Sequence, residues 1–136
     1  LIALAIALSV ASVFLGAEPE LVVIVSQQSA VTRLTRDQIA DIFLGKMSRL
    51  PGGTKAVPLD QPDGSPLREL FYNEYAAKSP AQLKVHWARI IFTGRGRPPA
   101  EVPDIQTALE QVAENPGAVT YIERSRVDSR VRVVSE

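Results

Sequence analysis

The run Leu21-Val22-Val23-Ile24-Val25 is apolar at every position, with Glu18-Pro19-Glu20 before it and Ser26-Gln27-Gln28-Ser29 after it. β-Branched side chains favour extended backbone, and a strand without polar alternation is covered on both faces. The run reads as a buried strand with a central place in a parallel sheet. Downstream, Thr35 with Gln38 three residues on forms a capping box, and Ile39, Ile42 and Phe43 make one apolar stripe of a helix that Gly45 ends. Pro51-Gly52-Gly53 is a turn before a second strand over residues 55–59, where Pro58 implies an edge position or a strand that stops there.

Ser65-Pro66 and Ser79-Pro80 each pair an N-cap with proline at the first helical position. The first helix carries Leu67, Leu70, Phe71 and Tyr75 on one face; the second turns Leu83, Trp87, Ile90 and Ile91 inward. The Gly- and Pro-rich loop from Thr93 to Pro99 follows, then a helix capped by Asp104 with Ile105, Leu109 and Val112, ending at Asn115-Pro116-Gly117. Residues 118–122 and 131–135 are the last strands, the second alternating Arg and Val as an edge strand does. Strands interleaved with helices predict an α/β domain, a mostly parallel sheet flanked by helices. The predicted core is Val23, Ile24, Ile39, Phe43, Leu70, Phe71, Trp87, Ile90, Leu109, Val112, Val119 and Tyr121.

Composition narrows the function. Fifteen basic and fifteen acidic residues cancel, which argues against a nucleic-acid or membrane-surface binder. With no cysteine and one histidine, there is no disulfide framework, no thiol nucleophile and no usual zinc site, and no cofactor is implied. Residues 1–17 contain no charge and read as the core of a secretory signal peptide cut after Ala17, or else as an uncleaved anchor. Residues 18–136 are then one exported domain.

Three candidate sites stand beside simpler explanations. Asp63-Gly64-Ser65-Pro66 joins a strand to a helix N-terminus, where free N–H groups and the helix dipole suit an anion; Ser65 is equally well explained as a cap. Arg95 and Arg97 lie in a Gly-rich loop and suit an anion fork or mere solvation. Ser26 and Gln27 follow the first strand, on the side where open α/β sheets bind ligands, or simply make a turn. His86 beside Trp87 reads as a half-buried helix histidine, and the Glu69/Glu74 and Asp37/Asp41 pairs read as solvated faces. Nothing here demands an enzyme.

The motifs Leu34-Thr35-Arg36-Asp37-Gln38-Ile39, Ile42-Phe43-Leu44-Gly45-Lys46, Val57-Pro58-Leu59-Asp60-Gln61-Pro62-Asp63-Gly64-Ser65 and Asn115-Pro116-Gly117-Ala118-Val119-Thr120-Tyr121-Ile122 resemble the phosphate-binding proteins of ABC transporters, of the type 2 periplasmic binding fold. The resemblance runs from Leu21 to Val134. Trp87-Ala88-Arg89 and Phe92-Thr93-Gly94-Arg95-Gly96 are similar to a short branch of that superfamily. It implies a single lobe of a two-lobed clamshell, in the periplasm, binding phosphate or another oxyanion near Ser65 and Gly64.

The family pattern at that site is Arg, three residues, then Ser-Gly-Thr. Here Gln61 stands for the Arg, Ser65 is kept, and Pro66 and Leu67 replace Gly and Thr. Each lost charged hydrogen bond costs about 1.5–3 kcal/mol, so binding is expected to be weak, held at Ser65, the Ser26–Ser29 turn and Arg68 or Arg95, with Arg68 compensating only if its side chain folds back over the helix N-terminus. The implied partners are an ABC permease or a membrane sensor. The rival reading is an interaction module that kept the lobe fold but lost its solute, with the Arg-bearing loop and the Tyr72/Tyr75 helix as docking surfaces.

Overall fold

A computed structural model describes residues 19–135. The expected signal segment, its cut after Ala17 and the anchor alternative lie outside the described residues. The elements are β1 (Leu21–Ser26), α1 (Arg36–Phe43), β2 (Val57–Asp60), α2 (Pro66–Ala76), α3 (Pro80–Phe92), β3 (Ala100–Glu101), α4 (Ile105–Glu114), β4 (Ala118–Glu123) and β5 (Val131–Val133), with a 3₁₀ turn at Arg124–Arg126. The two-residue β3 was not foreseen.

One sheet in the order β3-β2-β4-β1-β5 separates two apolar layers. On one face Phe43, Phe71, Trp87 and Tyr121 pack with Val23 and Val25; on the other Leu109 and Val112 pack with Val22, Ile24 and Ile122. β1 is buried on both faces, as its unbroken apolar run predicts. Its direction is the surprise. β2 runs parallel to β3 and β4, whereas β1 is antiparallel to both β4 and β5. Four strands therefore share one direction and β1 alone opposes them. An apolar run reports two-sided cover and not strand direction, so this was invisible in sequence.

Pro58 sits in the interior strand β2. The Val57 N–H donates to Gly117 O next to β4, so by alternation the missing Pro58 donor faces the other side. There β3 pairs only with Leu59 and Asp60, and nothing is lost. β5 lies at the sheet edge as predicted.

The local signals at the helix ends hold. Thr35 and Ser79 both close capping boxes, Ser65 and Asp104 accept from the N–H three residues on, and Pro66 and Pro80 open their helices. Leu70 and Ile90 are half-buried instead of core, and Ile91, expected inward, is 56% exposed. Ile91 does follow Leu83 and Trp87 on one helix face, at i, i+4 and i+8, but it borders an open cleft there and stays exposed.

Candidate functional site

Gln61 and Ser65 form a closed unit at the head of α2. The Ser65 hydroxyl donates to Gln61 Oε1 at 2.6 Å and accepts the Arg68 N–H at 3.4 Å, while Gln61 Nε2 donates to Tyr121 O at 3.3 Å. The cap reading of Ser65 is therefore correct, and Gln61 occupies the place in front of the hydroxyl. Gly64 holds a φ of 88°, which only glycine adopts without strain, and so turns the chain from β2 into α2.

Beneath this turn lies Asp60, which the sequence reading passed over as a site residue. It is 2% exposed. The Tyr72 hydroxyl donates to its Oδ2 at 2.5 Å, the Tyr121 hydroxyl donates to its Oδ1, and the Gln61 N–H donates to Oδ1 at 2.9 Å. Arg68 Nε lies 3.8 Å from Oδ2, and Arg68 Nη1 donates to Glu101 Oε1 at 3.0 Å and Gln61 O at 3.1 Å. Burial and the Asp60 carboxylate both push the Tyr72 and Tyr121 phenols well above their ordinary range. Burial alone lowers the Arg68 pKa, but Asp60, the two tyrosines and Glu101 outweigh it and raise the net value. Arg68 is thus committed to holding β2, α2 and β3 together, which leaves it little capacity to compensate for the Gln61 substitution. Tyr72, expected on a docking surface, is instead buried.

Two clefts flank the α2 head. One of about 310 Å³ is bordered by Gln61, Ser65, Pro66 and Leu67 on one side and by Glu123 and Arg126 on the other. It brings the exposed Arg126, absent from the sequence-derived candidates, to the Ser65 helix end. The second, of about 350 Å³, runs past Gly64 along α2 and α3.

The remaining candidates lie elsewhere. Register places Ser26 at the level of Ala118 and Val57, whereas Gln61 follows Asp60 at the far end of β2. Four residue steps put the two about 13 Å apart along the strands. Because β1 opposes β2, their C-terminal ends lie on opposite edges of the sheet, and Ser26 and Gln27 do not join Ser65. Ser26 is fully buried, donating to Ala113 O at 3.2 Å and accepting from the Gln28 N–H at 3.0 Å. Gln27 Nε2 donates to Val131 O at 3.1 Å. Arg95 sits in the exposed turn after α3 and borders neither cleft. His86 Nε2 is 2.8 Å from Leu44 O, tying α3 to the end of α1. Among the described residues no three His, Asp or Glu side chains converge as a metal site.

Solved structures share this fold. An ABC-type phosphate transport receptor from Vibrio cholerae superposes with a TM-score of 0.68 at 21% identity, over 85% of this chain and 45% of its own. A protein from Clostridium perfringens, described as a phosphate ABC transporter substrate-binding protein with bound phosphate, gives 0.67 at 26% identity, over 85% and 44%. PstS from Borrelia burgdorferi gives 0.65 at 13% identity, over 86% and 47%. No protein-family model and no curated protein matches the sequence. The chain is a single α/β lobe of the periplasmic-binding-protein type. Its fold is that of phosphate ABC transporter substrate-binding proteins, and it spans less than half the length of these structures.

Proposed function

We propose that this lobe is an exported, non-enzymatic solute-binding module that holds phosphate or another oxyanion weakly at the N-terminus of α2. The observation that carries the reading is the cleft of about 310 Å³ shared by Ser65 and Arg126. A helix N-terminus presents positive dipole and N–H groups to an anion, and Arg126 supplies the planar cation that Gln61 no longer does. For an oxyanion to bind, the Gln61 amide swings off Ser65 and frees the hydroxyl to donate outward. That displacement, Pro66 without an N–H, and the buried Asp60 carboxylate behind the turn all oppose binding, which makes the affinity low. Export rests on the uncharged residues 1–17, and an ABC permease or a membrane sensor is the partner such a role implies.

Isothermal titration of the purified protein with phosphate and with sulfate tests this. A dissociation constant of about 0.1–1 mM is expected, weakened at least about fivefold by Arg126→Ala. No heat of binding at about 10 mM anion overturns the reading.

A further inference from the structure

We infer that the oxyanion this lobe holds best is an organic monocarboxylate with a short apolar chain, seated in the cleft that Ser65 shares with Arg126. This rests on the reading of that cleft as an oxyanion site, and it names the ligand class.

The topology points to a ligand there independently of the helix end. β2 and β4 are parallel neighbours, and their carboxyl ends both meet this cleft. After β2 the chain leaves through α2 and α3 towards β3, on one side; after β4 it leaves through the 3₁₀ turn towards β5, on the other. Gln61 and Ser65 lie on the first departing segment, and Glu123 and Arg126 begin the second. Neighbouring parallel strands whose outgoing connections part in this way leave a crevice beyond their carboxyl ends. Open α/β sheets bind small molecules in such crevices.

The walls of the crevice do not suit an inorganic dianion. Leu67 packs on the apolar layer of one sheet face and Ile105 on that of the other, and both border the cleft. The cleft therefore wraps the end of the sheet with apolar surface on either side. Its fixed charges are one cation, Arg126, and one carboxylate, Glu123, and neither forms an ion pair among the described residues. Asp60 behind the turn is matched by Arg68. Positive charge is thus not in surplus: Arg126 answers one negative charge, and the second charge of a dianion meets Glu123.

A carboxylate fits the planar Arg126 fork with a single charge. Pro66 and Leu67 are the residues that deny phosphate a backbone N–H and a hydroxyl, and the same two give a carbon chain its apolar contact. A volume of about 310 Å³ is at the small end for ligand pockets, which sets the chain short.

Titration calorimetry of the purified protein with acetate, butyrate and hexanoate, beside sulfate and phosphate, tests this. Affinity should rise about threefold for each added methylene, so that hexanoate binds at least about tenfold tighter than sulfate. Phosphate should displace hexanoate, and Arg126→Ala should weaken every anion. Leu67→Thr and, from the other sheet face, Ile105→Thr should each flatten the rise along the series, with circular dichroism confirming that the variants fold. Sulfate or phosphate bound as tightly as hexanoate overturns the inference and leaves the oxyanion reading standing, as does a rise that neither variant reduces. Hexanoate that phosphate does not displace overturns it too, by placing the chain at another site. No heat of binding with any anion overturns both.

Discussion

Ser65 gives its hydroxyl proton to Gln61 Oε1 across 2.6 Å, so the head of α2 is stopped from within by a neutral amide. Gln61 is 8% exposed and is held from behind by Tyr121 O. An anion must outcompete both contacts. Restoring the family pattern with Gln61→Arg, Pro66→Gly and Leu67→Thr together should tighten phosphate binding at least about tenfold, since it returns a bidentate charge, a backbone N–H and a hydroxyl. Parallel titrations of the triple variant and the wild type check this; equal affinities would place the anion elsewhere.

The Asp60 cluster should behave as a unit. Tyr72→Phe removes one donor from a buried carboxylate and should cost about 1–3 kcal/mol of stability. Asp60→Ala strands two buried phenols, and takes one acceptor from the Gln61 N–H and one carboxylate from Arg68, and should cost more, about 3–5 kcal/mol. Urea denaturation followed by circular dichroism measures both. A smaller loss for Asp60→Ala than for Tyr72→Phe would show that the carboxylate is a burden that its partners merely tolerate.

Alkali should unfold the protein through the same tyrosines. Their folded pKa values are raised, by burial first and by Asp60 next, whereas in the unfolded chain each phenol titrates near 10. The unfolded state therefore releases protons first as pH rises. The stabilisation is fully present below about pH 10 and is lost progressively above it. Denaturation midpoints across pH 8–11 should be flat and then fall, and fall less steeply in Tyr72→Phe. Identical slopes in the two proteins would assign alkaline loss to other groups.

Phe71 is fully buried, with its ring stacked on Tyr121 at 4.1 Å between centroids and edge-on to Phe43 at 4.7 Å. Phe71→Ala should cost about 3–5 kcal/mol. An unchanged denaturation midpoint would contradict the packing of α2 on the sheet.

Local chemistry made the element plan legible: Thr35-Gln38, Ser65-Pro66, Ser79-Pro80 and Asp104 each mark a helix start by side-chain hydrogen bonding that needs no tertiary context. Ten of the twelve predicted core residues are buried, because helix stripes report the covered face. What failed depended on the rest of the chain. The direction of β1 is set by how β4 returns beside it, and misreading it put Ser26 and Ser65 at the same edge. Asp60 looked like an ordinary residue at the end of a strand, and its partners Tyr72 and Tyr121 lie 12 and 61 positions away. Arg126 reaches the Ser65 cleft only because β4 ends beside α2.

The central claim, that the α2 head still holds an oxyanion, is tested most directly by following backbone amides and arginine Nε–H signals by NMR during a phosphate titration. The account predicts fast-exchange shifts confined to residues 64–68 and Arg126, saturating near about 1 mM. Shifts centred on Ser26–Ser29 or Arg95, or no shifts at all, would contradict it.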